Sequence, residues 1–329
     1  MKYKFLILIK LLIILTVLLT LNTVALAEEE TDFLQLCRQG SFQQIKEAIE
    51  QGANINKVDE NGVTALMYAA RYNTNASVIN LLLNARARIN SRDDNGQSAL
   101  FYALHNRNSM VMDSLIRAGI NLNVINNRGE NALIYASRRN MNTQARTLIR
   151  AGININQSDD NNWTALMHAV NNNNSSLVNA LIDAGVQIHR KNRSGKTALI
   201  IASKNASPQI IEQLIRNGAE VNARDNNDRS AFLQSVRYRN TEVINLLIDY
   251  GAEINLQDNT GLNALAYAVR YNDSLSVVNT LLINGVNPKR MDVNGIFPLM
   301  HALRYSNNVD IIQLLIDYGA NPNARGLYK

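Results

Sequence analysis

A twelve-residue phrase that keeps returning constrains this chain more than any total does. "DENGVTALMYAA" at 59–70 comes back as "DDNGQSALFYAL" at 93–104, "NNRGENALIYAS" at 126–137 and "DNTGLNALAYAV" at 258–269. The copies align on the residue before each Ala-Leu or Ala-Phe pair: Thr64, Ser98, Asn131, Thr164, Thr197, Ser230 and Asn263. With Phe297 of "FPL" added, the intervals are 34, 33, 33, 33, 33, 33 and 34 residues. One such unit cannot bury its apolar side alone, whereas a stack hides each side against the next. A fixed period of this size therefore predicts a solenoid.

Each unit reads as turn, short helix, tight connection, second helix and loop, which makes the fold class all-α. Two residues before the aligned position stand Gly62, Gly96, Gly129, Asn162, Gly195, Asp228, Gly261 and Gly295. All are types that tolerate positive φ, so a β-turn belongs there. The aligned residue is Thr, Ser or Asn in seven units, the set that caps a helix by accepting from an orphan amide. Phe297 cannot cap, but Pro298 takes the favoured first helical position. The second helices end on Leu-Ile pairs shortly before Gly119, Gly152, Gly185, Gly218 and Gly251, and Gly52, Gly285 and Gly319 extend the series as left-handed terminators. Arg86 interrupts it. A left-handed Arg costs about 1 kcal/mol, so a loosened helix end is expected at that point. Spans such as "ARYNTNASV" (70–78) carry an extra residue between the helices, away from the packed faces.

These units resemble ankyrin repeats, whose consensus opens D-x-x-G-x-T-P-L-H and closes L-L-x-x-G-A-D-x-N. Here the closing motif stands as "LLIDYGAEIN" (246–255) and "LLIDYGANPN" (314–323), and the resemblance covers roughly 33–325. The family Pro is Ala in seven copies. The family His is replaced by Met67, Phe101, Ile134, Met167, Ile200, Leu233, Ala266 and Met300. That replacement removes a family hydrogen bond between turn and helix and predicts a less rigid unit. The expected organisation is a leader over 1–27, an N-terminal capping repeat over 28–58, eight ankyrin repeats over 59–325 and a tail at 326–329. The cap's outer face is polar, with Arg38, Gln39, Gln43, Gln44, Lys46 and Glu47, as a terminal unit needs.

The leader has a basic start at Lys2, Lys4 and Lys10, an apolar run over 11–21 and Ala25-Leu26-Ala27. That is the layout of a secretory signal cleaved after Ala27. Left uncleaved, it would be a marginal membrane anchor. Export to the periplasm or beyond is the expected localisation, with membrane contact only if the leader stays on. Without its three Lys the chain has 30 basic and 27 acidic residues, a net +3 against +6 for the whole. So small an excess over about 300 residues does not argue for a nucleic-acid partner, and export argues against one. The single Cys37 cannot form an internal disulfide and fits a small buried helix position. Asn is abundant, as in "VNNNNSSLV" at 170–178. Apolar residues keep their spacing through such tracts, so the Asn residues read as turn and surface positions.

Little in the chain suggests catalysis. "SGKT" at 194–197 lacks the Gly five residues before Gly195 that a phosphate loop needs, since Arg190 stands there. His105, His168, His189 and His301 are too scattered for the three or four converging ligands of zinc. Asp93-Asp94 and Asp159-Asp160 fall at turn tips and read as solvated turn residues, without the pocket that would split their pKa values. No catalytic, metal or cofactor residue is expected, and the chain reads as no enzyme.

One pattern remains. At the ends of the first helices stand Arg71-Tyr72, His105-Asn106, Arg138-Arg139, Asn171-Asn172, Lys204-Asn205, Arg237-Tyr238, Arg270-Tyr271 and Arg304-Tyr305. In register they would form a basic and aromatic stripe of residue types enriched in hot spots. A cation at a helix C-terminus is also favourable by itself, by about 0.3–1 kcal/mol. Both readings stand. Trp163 at a turn tip adds a candidate anchor beside the stripe. The resemblance implies a protein-binding scaffold that uses turn tips and inner helices, and the stripe points to an acidic partner. The alternative is a structural or self-associating envelope protein. A small-ligand binder or enzyme is disfavoured because an even stack has no deep pocket.

Overall fold

Turn, helix, helix, loop is the order the chain follows in a computed structural model that describes residues 33–324. The leader, with its cleavage site, and residues 325–329 lie outside the described residues. The chain divides into two units, residues 1–132 and 133–329. In the first are α1 (33–39), α2 (Phe42–Glu50), α3 (Ala65–Tyr72), α4 (Ala76–Asn84), α5 (Ala99–Ala103) and α6 (Ser109–Arg117). Helix α7 (Ala132–Arg138) begins on the last residue of that unit. The second unit continues with α8 (Asn142–Arg150), α9 (Ala165–Asn171), α10 (Ser175–Asp183), α11 (Ala198–Asn205) and α12 (Pro208–Arg216). It ends with α13 (Ala231–Arg237), α14 (Thr241–Asp249), α15 (Ala264–Tyr271), α16 (Leu275–Ile283), α17 (Pro298–Tyr305) and α18 (Val309–Asp317). Among the described residues there is no β-strand, only isolated bridges such as Val58 to Thr64, and no helix long and apolar enough to cross a membrane.

Packing follows the period. Within each unit first helices lie on first helices (α3 on α5, α11 on α13, α15 on α17) and second on second (α4 on α6, α12 on α14, α16 on α18). The Ala-Leu pairs at the helix starts are buried, as are the apolar pairs of the second helices, such as Val78-Ile79, Val243-Ile244 and Val277-Val278. Cys37 is fully buried, and burial pushes its thiol up to about 12.

The turns adopt the conformation their residues allow. Asn162 (φ 58°) and Asp228 (φ 59°) are left-handed like the glycines at the matching positions. Gly195 has a second reason to lack a side chain. A Cβ there would sit 2.7 Å from the Asn226 amide nitrogen of the next turn. That contact belongs to a turn-to-turn ladder. In the first unit the Asp94 and Asn127 amides donate to Asn61 and Asn95 carbonyls at 3.0 and 2.9 Å. In the second, Arg193, Asn226 and Asn259 donate to Asn161, Ser194 and Asn227 at 3.0, 3.0 and 3.1 Å.

Four expectations are corrected. First, Arg86 does not loosen its helix. It takes φ 69°, and its amide donates to Leu83 at 2.9 Å while Ala87 donates to Leu82 at 2.9 Å. The closing bonds match those at glycine ends, so the left-handed cost is absorbed in full geometry. Second, Ser98 makes no capping bond and its buried Oγ has no partner, whereas Thr64, Thr164, Thr197, Ser230 and Asn263 do cap.

Third, many Asn side chains are buried between repeats and not at the surface. Asn106 Nδ2 donates to the Ala70 and Asn73 carbonyls of the preceding repeat, both at 2.9 Å. Asn73 reaches Gly40 at 3.0 Å and Asn272 reaches Val236 at 2.6 Å in the same way. In the loops, Asn56, Asn156, Asn222 and Asn255 accept from backbone amides of the next repeat at 2.8 to 3.0 Å. An amide side chain both donates and accepts, so it can satisfy backbone groups that stacking removes from water.

Fourth, Asp93 is buried and Asp159 is mostly so, in contrast to exposed Asp94 and Asp160. The first Asp of each pair folds inward to hold the turn.

Arg86→Gly removes the left-handed cost while leaving the closing bonds intact. Urea unfolding of the variant should show a gain of about 1 kcal/mol; an unchanged or lowered midpoint would contradict the left-handed strain.

Candidate functional site

The site starts at the turn. Asp59 Oδ1 accepts from the Asn61 and Val63 amides at 2.9 and 2.8 Å, closing the turn. Its other oxygen accepts from the Tyr68 hydroxyl at 2.8 Å, tying the turn to α3. The same double use recurs at Asp93 with Tyr102 (2.7 Å), Asp258 with Tyr267 (2.7 Å) and Asp292 with His301 (3.0 Å). His168 stands 3.5 Å from Asp159 in the matching place. The family His is indeed replaced, but a Tyr or His one position later restores the link. In these units the link that the missing family His would have made is therefore present. The signal was in the sequence as an Asp nine residues before a Tyr or His.

Burial, then the bond to Asp, raises the hydroxyls of Tyr68, Tyr102 and Tyr267 above their ordinary value, so they stay donors. His301 is lowered below its ordinary value by burial, with Arg270 and Arg304 adding to the effect and Asp292 opposing it. Where the partner changes, the tie changes. Ile201 stands opposite Asn192, which has no carboxylate to offer. Gln234 stands opposite Asp225, and the buried Gln234 Nε2 and Asp225 Oδ2 both lack a hydrogen-bond partner.

The tie also places the stripe. A residue four further along a helix lies on the same face, so Tyr68 packs on Tyr72 (6.4 Å), Tyr267 on Tyr271 (5.3 Å) and His301 on Tyr305 (6.0 Å) between ring centroids. Cations then cover these rings. In the first unit Arg38 and Arg71 stand 4.5 and 5.2 Å from the Tyr72 ring, and Arg71 reaches Tyr102 of the next repeat at 6.0 Å. In the second unit Arg138 and Arg139 lie 5.7 and 4.3 Å from Tyr135. Lys204 and Arg237 flank Tyr238, Arg237 and Arg270 flank Tyr271, and Arg270 and Arg304 flank Tyr305, at 4.7 to 5.9 Å.

The candidate residues thus come together in part. Arg71 and Tyr72 belong to the first unit. Arg138 and Arg139 are set apart from Lys204 by Asn171 and Asn172, where Asn172 Nδ2 donates to the Ser137 and Arg138 carbonyls at 3.0 and 3.2 Å. Lys204, Arg237, Tyr238, Arg270, Tyr271, Arg304 and Tyr305 form one alternating row. Trp163 is half-buried against His168 at 5.0 Å between centroids. Arg38, Tyr102 and Tyr135 were not singled out in the sequence. Each contacts a cation or ring of the set across or within a repeat, which spacing along one copy does not reveal. Beside the row lies an open hollow of about 410 Å³ lined by Arg229, Arg237, Arg270 and Tyr271 among others.

The family model for ankyrin repeats (3 copies) matches eight overlapping stretches, 12–93, 33–126, 70–159, 104–192, 133–225, 169–258, 199–292 and 232–326. The chain is an ankyrin repeat protein. No curated protein matches it. Ankyrin repeats mediate protein–protein interactions, and the family is typically a non-enzymatic scaffold. In this ankyrin protein the turn aspartates Asp59, Asp258 and Asp292 act through the helices: they fix the rings against which Tyr72, Tyr271 and Tyr305 pack. Among the described residues no three His, Cys, Asp or Glu side chains converge as a metal site would require.

Tyr267→Phe leaves Asp258 Oδ2 buried without its donor. A loss of about 1–3 kcal/mol is expected in urea unfolding; a variant as stable as the parent would show that the tie carries nothing. The His301 tie adds a pH dependence. Its folded pKa is depressed, so its stabilising share is whole above the ordinary histidine value near 6.5 and falls as pH drops below that value toward the folded pKa. His301→Tyr, which copies Tyr267, should flatten the fall in melting temperature between about pH 7 and 5. Parallel profiles for the two proteins would rule the histidine out as its source.

Proposed function

We infer that the repeats act outside the cytoplasm as a scaffold that holds an acidic protein segment against the cation–tyrosine row of the second unit. One observation carries this reading. Lys204, Arg237, Arg270 and Arg304 lie on tyrosine rings and none has a carboxylate within ion-pair distance among the described residues. A cation left on an aromatic face keeps its charge available to a partner while its side chain is already ordered. Tyr238, Tyr271 and Tyr305 stay 42%, 42% and 41% exposed beside them, in the residue types that dominate interface energetics. Turn tips such as Arg193 and Arg229 extend the surface. Export rests on the leader over 1–27, with cleavage after Ala27 and release to the periplasm or beyond.

Self-association is the second reading, favoured by apolar exposure on the last helix pair, where Leu303 is 62% and Val309 73% exposed. Sedimentation of the purified chain as a dimer, abolished by Leu303→Glu, would support it.

The acidic-segment reading is tested by crosslinking in the native compartment with Arg237→Glu/Arg270→Glu. The charge-reversed chain should lose its crosslinked partner, at least tenfold in yield for a change of about 1.4 kcal/mol or more, while its circular-dichroism spectrum is retained. An unchanged partner set would refute the reading.

A further inference from the structure

Lys204, Arg237, Arg270 and Arg304 stand on successive first helices that pack one on the next, an interval of about 8–10 Å per step, and each neighbouring pair shares one tyrosine ring. Arg237 and Arg270 stand 4.7 and 5.5 Å from the same Tyr271 centroid, so their charges are at most about 10 Å apart. Arg270 and Arg304 stand 5.2 and 5.4 Å from Tyr305, which sets nearly the same limit. Lys204 and Arg237 stand 5.2 and 5.9 Å from Tyr238, a limit of about 11 Å. These limits agree with the distance of roughly 8–10 Å between packed helices.

The turn carboxylates Asp258 and Asp292 border the same hollow but make no ion pair with the row. Asp258 spends Oδ1 on the Thr260 and Leu262 amides and the Thr260 hydroxyl, and Oδ2 on Tyr267. Asp292 accepts from Asn294, Ile296 and His301.

A regular row of like charges measures the chain laid along it. Residues on one face of a β-strand recur at about 7 Å and then about 13 Å, out of step with the row. In a polyproline-II chain every third residue returns to the same side, and three rises of about 3.1 Å give roughly 9 Å. That chain is in step. Its intervening residues would meet the exposed edges of Tyr238, Tyr271 and Tyr305, and aromatic-lined grooves take proline in this conformation.

We propose that the second unit reads an acidic segment in the polyproline-II conformation, with one carboxylate at every third residue set against Lys204, Arg237, Arg270 and Arg304. The proposal rests on the acidic-partner reading above and adds the register and conformation of the segment.

Fluorescein-labelled peptides with four Glu each, (Glu-Pro)4, (Glu-Pro-Pro)4 and (Glu-Pro-Pro-Pro)4, titrated with the full chain and followed by anisotropy, test it. The three-residue period should bind about tenfold more tightly than the other two. Arg270→Gln, in the middle of the row, should bring it down to their level, while Arg150→Gln on the second-helix side leaves it unchanged. Equal affinities for the three periods would overturn the register and leave the acidic-partner reading to the crosslinking experiment. So would an absence of peptide binding by a chain whose partner is still lost on charge reversal. Tighter binding of a helical peptide with Glu at every seventh residue, or of oligothymidylate, would overturn the proposal as well.

Discussion

Four repeats are organised around one side chain, the aspartate that opens the turn: Asp59, Asp93, Asp258 and Asp292. One oxygen gathers two amides of the turn and the other takes a hydroxyl or imidazole from the helix that follows. A carboxylate can do this because its two oxygens accept independently. Everything outward from the helix depends on it. The ring held by aspartate supports a second ring one helical turn along, and that ring carries the cations of two repeats. Removing the aspartate would disturb the turn, the helix start and the surface row together.

The backbone landmarks of the repeat were plain in the sequence because each depends on one residue's own conformational freedom. Gly62, Asn162 and Asp228 announce left-handed turns, and Thr197 announces a cap. What could not be read were interactions spanning two copies. The Asn106 clamp joins residues 33 and 36 apart, and Arg237 lies on a ring from the following repeat. Nothing in one copy fixes such a partner, and abundant Asn suggested surface where the structure has a buried amide bridge. The Asp–Tyr tie lay between these cases: its nine-residue spacing was visible, but the missing family histidine drew attention to the neighbouring position. Arg86 shows the opposite error, a local penalty given more weight than the two hydrogen bonds that its left-handed conformation allows. The stripe was legible as composition. Its interleaving was not, because cation–π contacts are decided by side-chain direction across a repeat boundary.

The row's contacts within the stack leave the proposed recognition role open to the same residues. Each exposed cation–π contact is worth about 0.5–1 kcal/mol, enough to order a long side chain but too little to bury its charge. Stacking and the proposed recognition would therefore draw on the same geometry. Each tyrosine is shared by the cations of two neighbouring repeats, and none of these cations is in an ion pair among the described residues.

The repeat that carries Gln234 departs from this arrangement. Asp225 Oδ2, Gln234 Nε2 and Arg229 Nε are buried without partners there, and a linear array transmits load only from neighbour to neighbour. This repeat, which contributes Arg229 and Arg237 to the hollow, is therefore the most loosely tied joint of the second unit.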